Sequence, residues 1–216
     1  MNVRLIGMTK PVVSDIDTTP QMLAYCARVS SSANQGNHAT GGKLLRFLVN
    51  RREWSPFEMV SLTFEIITSR DIARQILRHR SFSFQEFSQR YAVVDDKPIF
   101  RECRMQDGKD RQNSLPCEEQ SLNEWWRDVQ ESLHNSYATV YNSAIRLGIA
   151  KEVARAILPE GMTESRMYVQ GTLRSWLHYC MARCDVKTQK EHREVANAIK
   201  EILLDKFPDI SEIFKE

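Results

Sequence analysis

The chain has 216 residues, which is enough for one large domain or two small ones with a buried core. Apolar residues make up 42% of the sequence and charged residues 27%, an ordinary globular composition that excludes a disordered chain or a coiled-coil rod. Thirty basic and 28 acidic side chains leave a formal net charge of +2, which argues against a general nucleic-acid partner. Since no stretch approaches ~20 apolar residues and no signal pattern opens the chain, we expect a cytoplasmic protein with no membrane partner.

The cysteines, histidines and glycines match no standard ligand motif. Five scattered cysteines include no Cys-x-x-Cys pair, so we expect reduced core thiols, with Cys180 and Cys184 one helical turn apart on an apolar face. Five histidines form neither His-Glu-x-x-His nor a two-Cys, two-His spacing, and we therefore expect no metal. Neither of the standard glycine-rich phosphate loops is present.

The first half of the chain predicts strands and short helices. The clearest element is a strand over 60–68, where Val60, Leu62, Phe64 and Ile66 alternate with polar residues. We also predict a strand over 3–8, a helix beginning at Thr19-Pro20, helices over 43–51 and 71–78, a mobile loop over 30–42 and a further strand over 91–94.

The second half of the chain is mostly helical. Apolar side chains recur at three-and-four spacing from about 118 to 147, which predicts a long amphipathic helix. We also predict a loop over 107–117, a short helix over 152–158, a strand over 166–169 and helices over 173–184 and 187–207. We therefore expect a single α+β domain over residues 1–216, with a small, mostly antiparallel sheet flanked by predominant long helices.

The segment from Arg74 to Arg90 concentrates cationic and hydrogen-bonding side chains. Arg74 and Arg78 lie four residues apart on one helix face and repel each other unless an anion lies near them. Guanidinium groups bind phosphate bidentately, and the interleaved serines and glutamines can hydrogen-bond a base or a sugar. Glu86 can accept from ribose hydroxyls. The pattern fits either a nucleotide site or a solvated basic helix end beside a surface loop.

A second group of polar residues lies on the helix over 173–184. Arg174 and His178 share one flank of its apolar stripe, and Trp176 and Arg183 share the other. A helix with cations on both flanks can contact two different ligands. Alternatively, Arg183 complements the helix dipole and His178 is a surface histidine.

The two groups together resemble a known family. Arg78-His79-Arg80 followed by Ser88 resembles the signature of the flavin-dependent thymidylate synthases. The resemblance extends over about residues 53–185 through three further blocks: Ser55-Pro-Phe-Glu58, Glu152-Val-Ala-Arg155, and Arg174-x-Trp176-x-His178 with Met181-x-Arg183. The chain departs from the family pattern at Glu53, Met59, Gln85 and Thr172.

The resemblance implies a role for each matching residue. The implied FAD-binding residues are Ser55, Arg78, His79, Arg80, Glu86, Thr172 and His178. The implied dUMP-binding residues are Gln75, Arg78, Glu86, Ser88, Gln89, Arg90, Arg155 and Arg183. Arg183 is the implied catalytic residue, placed against the uracil to favour ionisation at N3. A permanently charged guanidinium suits that task because it stabilises an adjacent anion.

The implied reaction is the reductive methylation of dUMP to dTMP. In this family 5,10-methylenetetrahydrofolate gives the carbon, NADPH reduces the FAD, and the reduced flavin supplies the hydride. The resemblance also implies a homotetramer whose active sites are shared between subunits.

The alternative from another functional class is a non-catalytic nucleotide- or RNA-binding protein that uses the Arg74–Arg90 segment. Phe82, Phe84 and Phe87 interleave with this segment, and RNA binding would require exposed aromatic rings there. The cations of the 173–184 helix favour the enzyme, because a simple phosphate binder does not need them.

Overall fold

The computed structural model describes residues 1–95 and 97–214. The strands are β1 (Asn2–Met8), β2 (Ser61–Ser69), β3 (Ser83–Glu86), β4 (Arg104–Gln106), β5 (Ser114–Pro116) and β6 (Glu164–Thr172). The helices are α1 (Thr19–Ala27), α2 (Gly41–Asn50), α3 (Arg70–Ile76), α4 (Gln120–Arg146), α5 (Lys151–Ala154), α6 (Leu173–Arg183) and α7 (Lys190–Lys206). Short 3-10 turns span Ser32–Asn34, His38–Thr40, Ser55–Met59, Arg155–Ile157 and Pro208–Phe214.

A four-stranded sheet with the order β1-β2-β6-β3 organises the domain. Every neighbouring pair in it is antiparallel, and β4 and β5 form a separate two-stranded hairpin. The α+β arrangement predicted from the sequence, with a small antiparallel sheet and predominant helices, is therefore confirmed. Among the described residues, no helix is both long enough and apolar enough to cross a membrane.

The register of β2 and β6 determines where two helices begin. Ser69 at the end of β2 pairs with Glu164, and Thr172 at the end of β6 pairs with Ser61. Since α3 follows β2 directly and α6 follows β6 directly, the two helices begin at opposite ends of one strand pair. Their C-terminal ends meet, because Arg183 at the end of α6 contacts the residue His79 that follows α3.

The core between the sheet and α6 is aromatic. Trp176 is fully buried, its Nε1 donates to the carbonyl oxygen of Leu62 across 3.2 Å, and its ring lies 4.2 Å from that of Phe82. The prediction that Trp176 lies on a flank of the helix beside Arg183 is therefore wrong. The buried face of α6 is centred on Leu173, Trp176 and Cys180. Relative to the predicted apolar stripe, the helix is rotated about its axis, which leaves Met181 half exposed.

A glycine allows the Phe82 ring to pack against the sheet. A Cβ atom on Gly171 of β6 would lie 2.6 Å from Cε1 of Phe82, closer than van der Waals contact allows. The glycine therefore lets the chain just before β3 pack closely on the sheet.

Two predicted segments differ from the structure. The segment predicted as a loop over 107–117 contains strand β5 and belongs to the β4–β5 hairpin. The segment over 91–94 forms turns and irregular structure and is not a strand. There the backbone N–H of Val94 donates to the hydroxyl of Tyr141 on α4, so a side chain takes the place of a ladder partner. The additional strand of the sheet is β3, earlier in the chain.

Candidate functional site

An open cleft lies where the ends of α3 and α6 meet the start of α7. Its volume is about 660 Å³. It is lined by Gln75, Arg78, His79, Gln112, Arg183, Lys187, Thr188, Gln189 and His192. Three cationic side chains and no carboxylate line it among the described residues, which is the composition of an anion-binding site. Of the predicted site residues, it brings together Gln75, Arg78, His79 and Arg183.

Arg183 is held in the cleft by His79. Its Nε donates to Nε2 of His79 across 3.1 Å, so the imidazole is neutral and carries its proton on Nδ1. Burial, and then the charge of Arg183, lower the pKa of His79. The ring is also fixed from behind, since it packs edge-on against Tyr179 at 4.9 Å. Because the contact uses Nε, the terminal fork of the guanidinium is the part that a ligand in the cleft meets.

A buried histidine of α7 forms the floor of the cleft. Nδ1 of His192 lies 3.1 Å from Oε1 of Gln75, and its Nε2 lies 3.0 Å from the hydroxyl of Tyr179. Burial, followed by the charges of Arg183 and His79, lowers the pKa of His192 to about 4. His192 is not among the site residues predicted from the sequence. The sequence does indicate that it is buried, because it lies on the same helical face as Val195, Ala196 and Ile199, all of which are buried.

Ser55, Thr172 and His178 do not line the cleft: Thr172 directly precedes α6, and His178 lies in the middle of that helix. Thr172 and Arg183 are separated by eleven residues, about 16 Å along the helix. Thr172 caps α6 by accepting from the backbone N–H of Ser175, and Ser55 is exposed at the start of a 3-10 turn. The ring of His178 stands edge-on to Trp54 at 4.9 Å. Burial, and then the charge of Arg174, lower the pKa of His178.

Glu86 at the end of β3 belongs to a partly buried ion-pair cluster. It accepts from the hydroxyl of Ser165 across 2.7 Å and lies 3.4 Å from Nη1 of Arg70 and 3.3 Å from Nη1 of Arg74. Burial is the main reason that the pKa of Arg70 is lowered, which the charge of Glu86 partly offsets. Glu86 therefore connects α3 and β6 as well as its own strand.

The remaining predicted residues do not line the cleft. Ser88 and Arg90 are exposed, and Arg90 pairs with Glu152 at 3.3 Å. Gln89 is buried, and its Nε2 has no hydrogen-bond partner among the described residues. Arg155 is half-buried at the start of a 3-10 turn, and Arg80 is exposed. Within one chain the predicted residues therefore form several patches and not one closed site.

The aromatic residues of the basic segment do not form a stacking surface. Phe82 is buried, and Phe84 packs against the core. Phe87 is half-buried. Single-stranded RNA recognition requires exposed rings beside the cations, so these positions count against the RNA-binding alternative.

Within residues 1–95 and 97–214 no group of three or more histidine, cysteine, aspartate or glutamate side chains is placed to hold a metal ion. The five cysteines are free thiols, of which Cys180 is buried.

Comparison with known proteins identifies the family. The family model described as "Thymidylate synthase complementing protein" matches residues 12–209. A probable flavin-dependent thymidylate synthase of Paramecium bursaria Chlorella virus 1 is 47% identical over 211 residues, covering 98% of this chain and 97% of that protein. The chain belongs to the flavin-dependent thymidylate synthase family. Another member, from Synechocystis, is 47% identical over 214 residues and is covered to 98%.

Solved structures share the fold of this family member. The UMP/dUMP methylase PolB from Streptomyces cacaoi, in its crystal structure bound with 5-Br dUMP, superposes with a TM-score of 0.83 at 24% identity. The match covers 99% of this chain and 93% of that one. The arrangement of the sheet and helices described above is therefore shared with PolB.

Proposed function

We propose that this flavin-dependent thymidylate synthase converts dUMP to dTMP, with 5,10-methylenetetrahydrofolate as carbon donor and NADPH as reductant. The observation that carries the proposal is the Arg183–His79 pair at the edge of a cationic cleft that also holds Gln75 and Arg78. dUMP offers such a cleft a phosphate and a uracil ring with two carbonyl oxygens. All of these groups accept hydrogen bonds, and the lining residues include several donors.

Arg183 is proposed as the catalytic residue. Its guanidinium carries a delocalised positive charge, and the neutral ring of His79 orients it without competing for that charge. Placed against the uracil, it stabilises the anion that forms when N3 loses its proton, and it does so in a partly desolvated site. Arg78 and Gln75 bind the phosphate and sugar, together with Ser88, Gln89, Arg90 and Arg155.

The donor chemistry of the proposed FAD residues fits a flavin dinucleotide. Arg78 and Arg80 are exposed cations that suit a pyrophosphate, and Ser55 and His178 offer a hydroxyl and an imidazole. The bound flavin, once reduced by NADPH, would supply the hydride for the methylation. The chain contributes binding and orientation: His79 faces both this cofactor and Arg183, and Glu86 reaches flavin or nucleotide from a neighbouring subunit.

The proposed enzyme is a homotetramer with shared sites. Trp125, Leu133 and Val140, spaced seven or eight residues apart, form an exposed apolar stripe on α4. We call it the α4 stripe, and we propose that further copies of this chain cover it. Assembly also explains why Ser55 and Ser88 lie on patches away from the cleft, since residues from several subunits would complete one site. We assign the enzyme to the cytoplasm.

The test is product formation by the purified protein. The protein is loaded with FAD and supplied with dUMP, NADPH and 5,10-methylenetetrahydrofolate under anaerobic conditions, and the nucleotide is analysed by mass spectrometry. We expect dTMP, and none when either co-substrate is omitted. A protein that binds dUMP under these conditions but forms no dTMP would instead be a non-catalytic nucleotide binder.

A further inference from the structure

A continuous row of side-chain hydrogen bonds runs from α7 into the cleft and on into the core. Nε2 of Gln189 donates to Oε2 of Glu191 across 3.0 Å, and Nε2 of Gln75 donates to Oε1 of Gln189 across 2.7 Å. Oε1 of Gln75 then meets Nδ1 of His192, whose Nε2 meets the hydroxyl of Tyr179. The row therefore connects a carboxylate at one end with a buried phenol at the other.

The carboxylate determines the direction of every bond in the row. Burial alone would raise the pKa of Glu191, but hydrogen bonds from its own backbone N–H and from Arg104 outweigh this effect and lower the pKa. An ionised carboxylate only accepts, so Gln189 has to present its N–H to it and its carbonyl oxygen to Gln75. Gln75 then has to donate to Gln189, and its own Oε1 faces His192.

This direction assigns the tautomer of His192. Because Oε1 of Gln75 only accepts, the imidazole proton has to reside on Nδ1, and the unprotonated Nε2 accepts from the hydroxyl of Tyr179. Burial raises the pKa of Tyr179, so its hydroxyl keeps the proton that it donates. His192 is only 2% exposed, and every polar group that it carries is satisfied in this arrangement.

We propose that His192 is a positioning residue for the nucleotide: it holds the amide of Gln75 in the one orientation that directs its second N–H into the cleft. This inference rests on the proposed function, in which Gln75 binds dUMP. An amide fixed in this way favours a ligand group that accepts, such as a phosphate or carbonyl oxygen, and rejects a donor at the same place. Without the contact to His192, the Gln75 amide would present either its N–H or its carbonyl oxygen to the cleft, and it would lose side-chain entropy when the ligand binds.

Two conservative variants separate the two ends of the imidazole. His192→Asn places a side-chain N–H close to the position of Nδ1 and keeps the donor to Gln75. His192→Gln places its amide near the position of Nε2 and reaches only Tyr179. Both replacements are polar and similar in size to histidine. We measure the equilibrium affinity of the FAD-loaded protein for dUMP and the melting temperature of each variant. His192→Gln is expected to bind dUMP about tenfold more weakly, while His192→Asn recovers most of the affinity.

A double-mutant cycle with Gln75→Ala shows whether His192 acts through Gln75. In the Gln75→Ala background, adding the substitution His192→Gln should cause no further loss of dUMP affinity. The inference is overturned if Asn and Gln at position 192 weaken binding equally, or if the loss persists without Gln75. If Gln75→Ala itself leaves dUMP affinity unchanged, the placement of dUMP in the cleft fails as well. If Gln75→Ala weakens binding and the His192 variants do not, only the inference fails.

Discussion

Nε of Arg183 donates to Nε2 of His79 across 3.1 Å, and this one hydrogen bond joins the C-terminal end of α6 to the turn after α3. The contact requires the neutral imidazole, which burial and the charge of Arg183 favour. The two helices begin at opposite ends of the β2–β6 pair, so the sheet determines where this cation lies.

Removing the guanidinium should abolish the chemistry and leave the flavin bound. In Arg183→Ala we expect kcat for dTMP formation to fall by about 100-fold or more, because the charge proposed to stabilise the uracil anion is lost. The bound FAD, measured by its visible absorbance after gel filtration, should remain, since the proposed partner of Arg183 is the uracil. Arg183→Lys keeps the charge but not the planar fork, and its kcat should lie between those of the wild type and Arg183→Ala. Full dTMP formation by Arg183→Ala would refute the role.

The partly buried Glu86 cluster should contribute more to stability than the exposed ion pair of Arg90 and Glu152. Glu86→Gln removes the nearer of the two carboxylates beside the buried Arg70 and leaves Glu160 at 3.9 Å, so we expect the free energy of unfolding to fall by about 2 kcal/mol. The matched control is Glu152→Gln, which breaks the exposed pair with Arg90 and should cost no more than about 0.5 kcal/mol. Urea denaturation measures both values, and equal losses would show that Glu86 has no structural role.

The buried His192 should make stability depend on pH. Its pKa is lowered from 6.5 to about 4, first by burial and then by the charges of Arg183 and His79. Between these values the unfolded chain binds a proton that the folded chain does not. The free energy of unfolding should therefore fall by about 3 kcal/mol, through this residue, as the pH falls from 6.5 to 4. This loss is absent above pH 6.5 and complete below pH 4.

The control for this dependence is His192→Asn, which does not titrate. His79 and His178 also have lowered pKa values, but they are present in both proteins, so the difference between the two stability curves isolates His192. Parallel curves between pH 6.5 and 4 would contradict the assignment of a neutral, buried His192.

The α4 stripe should mediate assembly. We expect light scattering on the eluted protein to give the mass of a tetramer, and Leu133→Glu to give a smaller species because a charge then enters an apolar interface. FAD content should fall with it, since the proposed sites are shared between subunits. Val12→Glu makes the same change at a fully exposed position outside α4 and should leave the mass unchanged. A wild-type monomer with full activity would exclude shared sites.

The sequence predicted the elements that have a strong period. The alternation of Val60, Leu62, Phe64 and Ile66, all of which are buried, marked β2, and the three-and-four spacing of apolar residues marked α4. The β4–β5 hairpin was missed because its strands have three residues each, too few to show a period. For 91–94, a hydrogen bond to the side chain of Tyr141 replaced the predicted pairing.

The candidate site was predictable only where a motif marked it. The family pattern identified Arg78, His79 and Arg183, and the structure brings them to one cleft. Gln112 lies in a polar loop with no pattern, and only the course of the chain around the hairpin brings it to the cleft. His192 was recognisable in principle as a polar residue on the apolar face of α7, but its partners come from α3 and α6 and depend on tertiary packing.

The most direct test of the central claim is the visible absorption spectrum of the purified, FAD-incubated protein, recorded anaerobically before and after addition of NADPH, with and without dUMP. We predict an oxidised flavin spectrum that bleaches with NADPH at a rate that dUMP changes, because the proposed site holds the flavin and the nucleotide together. A protein that retains no flavin, or whose flavin does not respond to NADPH and dUMP, would contradict the account and leave the cleft as a simple anion site.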